Sequence, residues 1–208
     1  KRQVTIVGDV AQKILFARKF IGWNKVVETL GLDEDAIIQL EVSFRCTVPI
    51  MTLANKVAGD PKEVEGRAGT DPIWQRAENY IDLIETLVDW SRGLLRADPY
   101  KLIALICRYP KQAMELKEEL DAYLPGEVRL GHRDQFSFES GILVTNIHQV
   151  KGLEFDSVAL VEPDEENYPA KKEESRNMIY VGITRTQEDL LLATIRPYSG
   201  VFIGNKNL

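Results

Sequence analysis

The chain has 208 residues, 44% of them hydrophobic and 28% charged, with 26 Lys+Arg against 32 Asp+Glu for a net charge of −6. Those proportions exclude collagen-like, low-complexity and wholly disordered classes, and the acidic total excludes a dedicated, sequence-independent DNA coat, so any nucleic-acid contact must come from a local patch or from backbone amides. Two cysteines, Cys46 and Cys107, cannot make a disulfide framework and point to a reducing, cytoplasmic setting; the apolar runs are too short to span a bilayer, and no basic-then-apolar signal segment opens the chain.

The chain opens at Lys1 and runs at once into an apolar stretch, which reads as a piece cut from a longer protein. The first strand is expected over Gln3–Val7 and the second over Ile37–Glu41. A helix follows at Val48–Val57, then a Gly-, Pro- and charge-rich surface loop from Ala58 to Pro72. A long helix is expected over Trp74–Arg96, where Ala77, Tyr80, Ile81, Ile84, Leu87, Val88 and Leu95 recur at helical spacing as a core-facing stripe. Leu102–Cys107 reads as a strand, Lys111–Tyr123 as a helix, and Gly141–Asn146 and Ser157–Val161 as strands. Glu162 to Glu174 is acidic and reads as a solvated loop entering the helix Glu173–Thr184, with acids at the helix start favoured by the dipole. Leu190–Thr194 is the last strand.

The strand candidates are continuous apolar runs, as in a parallel sheet buried on both faces. Strand–helix alternation therefore gives an α/β fold: an open, mainly parallel sheet with helices on both faces in three layers. Ligands in such folds gather at the carboxyl ends of strands.

Four segments place polar residues directly after apolar runs. In Val7-Gly8-Asp9-Val10-Ala11-Gln12, Gly8 permits a tight turn and Gln12 can donate to a phosphate oxygen or bond a water; a strand–turn–helix with Asp9 as N-cap explains the segment equally well. In Ser43-Phe44-Arg45-Cys46, an aromatic beside an Arg suits base stacking and phosphate pairing, and a buried Phe beside a surface Arg suits it too. Thr145 to Asp156 packs Thr145, His148, Lys151, Gly152 and Glu154 into one loop, with several donor types beside a Gly. In Tyr180-Val181-Gly182-Ile183-Thr184-Arg185, Arg185 ends a helix, where a cation complements the dipole.

Taken together and in this order, the four segments closely resemble the later motifs of superfamily 1 helicases of the UvrD/Rep type. Gly8–Gln12 resembles motif III, Ser43–Cys46 motif IV, Thr145–Asp156 motif V and Tyr180–Arg185 motif VI. Lys151-Gly152-Leu153-Glu154-Phe155 and Tyr180-Val181-Gly182-Ile183-Thr184-Arg185 form a highly specific pair. The resemblance implies two RecA-like domains that sandwich ATP and ratchet along single-stranded DNA. Residues 1–20 would be the tail of the first domain and 21–208 the second domain.

By that resemblance Gln12 would contact the γ-phosphate side, Phe44 would stack on adenine, and Arg45 and Arg185 would clamp the γ-phosphate. Arg185 would be an arginine finger, a role worth roughly 10³–10⁵ in rate in other NTPases. Gly152 would admit the nucleotide to the backbone and Glu154 would accept from the ribose. Thr145, His148 and Lys151 would hold phosphates of single-stranded DNA. The implied ligands are ATP and Mg²⁺, the latter on acids of the first domain. The implied partners are single-stranded DNA, that first domain, and proteins of DNA repair or transcription, where such motors serve; no membrane is implied.

The sequence departs from the family in three ways. No Gly is followed by Lys, so there is no Walker A loop, and no strand carrying the catalytic Asp-Glu pair precedes Gln3; this chain alone should not hydrolyse ATP. Five residues past Gln12, where the family places a base-stacking Trp, stands Ala17, with Phe16 and Trp23 the nearby aromatics. Thr47 to Ser140 leaves no room for the large accessory domain of bigger members. The competing reading is a degenerate RecA-like domain serving as a protein-interaction module. An unrelated hydrolase would need a Gly-x-Ser-x-Gly elbow, a metal-ligand cluster or a dinucleotide fingerprint, and the sequence has none.

Overall fold

The computed structural model describes residues 5–8, 12–13, 22–33, 36–38, 45–132 and 136–203. Its elements run α1 Trp23–Leu30, α2 Val48–Ala58, β1 Ile73–Arg76, α3 Tyr80–Ala97, β2 Leu102–Cys107, α4 Pro110–Tyr123, β3 Val128–Leu130, β4 Gly141–Asn146, β5 Phe155–Val161, α5 Glu173–Ile183, β6 Thr186–Thr194 and α6 Gly200–Ile203. The six strands form one sheet in the order β1-β6-β5-β2-β4-β3, and every pairing is parallel.

The central strand β2 is buried along its whole length. Side chains alternate across a strand, so Leu102, Ala104 and Ile106 enter one core with α2 and α5. Ile103, Leu105 and Cys107 enter the opposite core with α3 and α4. Helices thus cover both faces, and the three-layer α/β architecture is as the apolar runs imply.

Some local expectations need correction. The helix expected from Trp74 begins only at Tyr80, where Asn79 caps it by accepting from the Asp82 amide at 3.1 Å. Upstream, Ile73–Arg76 forms an edge strand on β6. Trp74 anchors it by edge-to-face contacts with Tyr198 and Phe202, at centroid distances of 5.0 and 5.2 Å. In α3 the buried stripe is Leu83, Ile84, Leu87, Val88 and Ser91, while Tyr80 and Ile81 face solvent. The short strand β3 and the helices α1 and α6 were not expected.

Residues 5–8 form no strand and are exposed, as are 36–38; neither has a strand of the sheet beside it, because β1 and β3 are the edges. The remainder of the expected strands Gln3–Val7 and Ile37–Glu41 lies outside the described residues, as do Asp9–Ala11, Phe16, Ala17 and Phe44. The acidic loop 162–172 is not simply solvated. Asp164, Asn167 and Tyr168 are buried in it, with Asp164 accepting from the Asn167 amide at 2.8 Å and pairing with Arg196 at 3.5 Å.

Both cysteines are buried free thiols. No helix among the described residues is long and apolar enough to cross a membrane.

Candidate functional site

The polar segments gather at two opposite ends of the sheet. β4 ends at Asn146 and β5 begins at Phe155, and in a parallel sheet these are a carboxyl end and an amino end. The intervening residues 147–154 must therefore travel back along the sheet. The strands' register and spacing put roughly 20 Å between the two ends. Ile147 and Val150 are fully buried in the core beside α5, so the connection is fixed to the face it crosses. Helix α5 makes the same journey, from Glu174 at the carboxyl end to Arg185 at the amino end.

At the amino end Arg185 is only 1% exposed. Its Nε donates to the Val181 carbonyl at 3.1 Å, Nη1 to the Leu153 carbonyl at 3.1 Å, and Nη2 to Gln12 Oε1 at 3.3 Å and Thr184 Oγ1 at 3.2 Å. Burial, and then the nearby Arg45 guanidinium, pull its pKa below the usual arginine value; an arginine nonetheless stays protonated in proteins. The Phe155 amide donates to the Arg185 carbonyl at 3.0 Å, which locks the end of α5 to the start of β5.

Beside it Arg45 Nη2 pairs with Glu154 Oε1 at 2.5 Å, each side chain more than a third exposed. Glu154 Oε2 also accepts from Gln187 Nε2 at 3.3 Å. Cys46 donates to the Thr184 carbonyl at 3.7 Å; burial raises its thiol pKa to about 11, against the pull of Arg45 and Arg185. Gly152 adopts φ +84 with nothing near the position of a Cβ, so its lack of a side chain serves the left-handed turn. Asn177 of α5 donates to the Lys13 carbonyl at 3.0 Å, which seats the Gln12–Lys13 segment on the same helix.

At the carboxyl end, β2 and β4 run in register with Cys107 opposite Asn146, so the residues that follow each strand are neighbours. Arg108 Nη1 lies 3.1 Å from His148 Nε2. Its Nη2 donates to Glu174 Oε1 at 3.4 Å, and its guanidinium stacks 4.6 Å from the Tyr109 ring and 5.7 Å from the Tyr168 ring. Arg108 Nε is buried with no hydrogen-bond partner. Burial and then the Arg108 charge lower the His148 pKa, with Glu174 acting the other way. The imidazole is therefore neutral at pH 7 and accepts from Arg108 through Nε2. Lys151 is exposed in the turn before Gly152.

The structure thus brings together Gln12, Arg45, Glu154 and Arg185, four of the residues singled out from sequence. Thr145 does not join His148. It is fully buried on β4 and its hydroxyl donates to the Gly131 carbonyl at 2.8 Å, a contact that holds the sheet edge. Sequence reasoning missed Gln187, which shares Glu154, and Arg108, whose place directly after an apolar strand was the available signal.

Residues 126–197, which contain both the 147–154 connection and Arg185, match the family described as the UvrD-like helicase C-terminal domain. That segment is about a third of the chain. A solved structure similar to it is the C-terminal domain of a possible DNA helicase from Lactobacillus plantarun WCFS1. The TM-score is 0.65 at 22% identity over 77% of this chain and 92% of that chain, a likeness that establishes the RecA-like fold. The SWI2/SNF2 ATPase core of Sulfolobus solfataricus in complex with double-stranded DNA superposes more loosely, with TM-score 0.48 and 12% identity over 82% of this chain and 35% of that one. No curated protein matches the chain. Relative to the family match, the amino-end group draws Glu154, Arg185 and Gln187 from inside the matched segment and Gln12 and Arg45 from outside it.

Proposed function

We propose that this chain is the second RecA-like motor domain of an ATP-dependent DNA helicase or translocase, with residues 1–20 belonging to the first motor domain. The carrying observation is the convergence at the amino ends of β5 and β6. There, segments far apart in sequence bring Gln12, Arg45, Glu154 and Arg185 to one place.

In this reading Arg45, Glu154 and Gly152 face ATP held against the first domain. Arg45 leaves Glu154 for a phosphate, and the freed carboxylate accepts from the ribose. Arg185 gives up Gln12 Oε1 to stabilise charge developing on the transferred phosphoryl group. Its remaining bonds to the Val181 and Leu153 carbonyls keep it aimed, so little ordering is left to complete in the transition state. Among the described residues no group of His, Cys, Asp and Glu is placed to hold a metal; acids of the first domain would hold Mg²⁺, which would supply charge neutralisation there. This chain alone would then be inactive. Single-stranded DNA would cross the carboxyl end at His148, with Lys151 exposed further along the 147–154 connection that would join the two ends.

The test is ATP hydrolysis by the full-length protein with and without single-stranded DNA, wild type beside Arg185→Ala and Arg45→Ala. DNA-stimulated turnover in the wild type and a fall of at least ~10³ in Arg185→Ala are expected. Arg45 is half exposed, and its variant guards against a folding defect in the buried one. Near-normal turnover in both variants would sink the assignment. A wild type with no turnover would make the domain a retained scaffold and move the search to protein partners.

A further inference from the structure

We infer that Arg67 is a positioning residue that fixes the Arg45–Glu154 pair, an inference that rests on the reading of that pair as facing ATP. Arg67 lies in the 59–72 loop, which by composition is only a surface connection. Its backbone carbonyl accepts from the Val48 amide at 2.8 Å. That amide opens α2, where helix N–H groups have no partner within the helix. The guanidinium reaches in two further directions from one nitrogen: Nη2 donates to the Arg45 carbonyl at 3.2 Å and to the Gln187 carbonyl at 2.7 Å. Nη1 lies 3.6 Å from Glu188.

These contacts close a ring. Arg67 holds the backbone of Arg45, Arg45 pairs with Glu154, Glu154 accepts from Gln187, and the backbone of Gln187 is held by Arg67. One guanidinium therefore ties the backbone of the segment bearing Arg45 directly to the start of β6. An arginine suits that task because its donors form a rigid fork, whereas a lysine is a flexible point charge.

Gly69 is the second part of the device. A Cβ there would lie 2.3 Å from Thr47 Cγ2 and 2.7 Å from its Oγ1. Only a residue without a side chain lets the loop lie flat across Thr47, next in chain to Cys46, and so bring Arg67 within reach of Arg45.

The experiment is steady-state ATP hydrolysis by the full-length protein at saturating oligo-dT, titrating ATP. Arg67→Ala is measured alone and in an Arg45→Ala background, with melting temperatures recorded for each. Arg67→Ala is expected to lower kcat/KM about tenfold, the scale of losing a pair of hydrogen bonds, mainly through a higher KM for ATP. In the Arg45→Ala background the same substitution is expected to cost less than twofold, because the group it positions is gone. Arg67→Lys, which keeps charge and stem, should recover only part of the loss, and it reads the same quantity should Arg67→Ala not fold. Gly69→Ala should raise KM in the same direction with Arg67 intact. Equal losses in both backgrounds, or no loss in Arg67→Ala and Arg67→Lys, overturn the inference. If Arg45→Ala is damaging and the Arg67 variants are silent, this inference alone falls. If Arg45→Ala is itself silent, the reading of the Arg45–Glu154 pair as facing ATP falls and takes this one with it; if the wild type hydrolyses no ATP, the functional reading falls with both.

Discussion

The amino and carboxyl ends of the same six strands treat their charges differently. At the amino end cations are saturated by the protein itself. Lys101 binds Glu188 at 2.9 Å and Asp189 at 2.6 Å, Asp189 also accepts from Ser157, and Arg185 spends every nitrogen on protein acceptors. At the carboxyl end Arg108 shares one carboxylate at 3.4 Å, faces a neutral imidazole, and keeps a buried Nε unpartnered. An amino-end anion must displace an existing partner, and a carboxyl-end anion adds to what is there. The first arrangement suits a step that has to be switched, and the second suits a grip that is made and released repeatedly.

The largest expected separation between the ends comes from pairing Arg185→Ala with Arg108→Ala in the full-length protein. The first should remove turnover while leaving single-stranded DNA affinity within a few-fold. In the proposed reading the second should weaken oligo-dT binding about tenfold, because Arg108 holds His148 at the DNA-facing end. Equal effects of both variants on DNA affinity would erase the distinction between the ends.

The amino-end network should show in stability before it shows in activity. Lys101→Ala removes the cation between Glu188 and Asp189, which keep Arg67 and Ser157, and a loss of about 1–2 kcal/mol in unfolding free energy is expected. Burial by itself would lower the Lys101 pKa, yet the bonds and charges of Asp189 and Glu188 outweigh it and the net shift is upward. A melt within 1–2 °C of wild type would show that the network is solvent-screened. Gly152→Ala forces an L-residue into a left-handed turn at a cost of about 1–2 kcal/mol, and should slow turnover more than it lowers melting.

The smallest effect is a pH effect at the carboxyl end. The His148 pKa lies below its ordinary 6.5, so near that value the unfolded chain binds more protons than the folded one. Stability contributed by the neutral ring is complete above pH 6.5 and is lost as pH falls through the window below it. His148→Gln should flatten that part of the stability profile, measured by denaturant melts at pH 5.5 and 7.5. An unchanged slope would remove His148 as its source.

The sheet was legible in the sequence wherever strands are buried on both faces. Leu102–Cys107 and Gly141–Asn146 are continuous apolar runs, and their bounds needed no structure. The edge strand Ile73–Arg76 was not legible, because it is largely exposed and anchored mainly by Trp74, a tertiary contact invisible in a local pattern. The residues at the amino end were legible through motif resemblance, and their mutual distances were not. Gln12 and Arg185 are far apart in sequence and meet where Asn177 of α5 holds the Lys13 carbonyl. Thr145 shows what a motif leaves out: its hydroxyl donates to the Gly131 carbonyl, a contact no local pattern displays.

The 147–154 connection contains no helix or strand of its own, and its length is close to a fixed quantity. It joins ends roughly 20 Å apart with a stretch that can extend to at most about 30 Å. Duplex stacking spaces successive nucleotides of one strand by about 3.4 Å, the reach of a single extended residue. In the proposed motor, a displacement at His148 would reach Glu154 through a connection with little slack, and deleting one residue would shift the buried Ile147 and Val150 and disturb fold and coupling together.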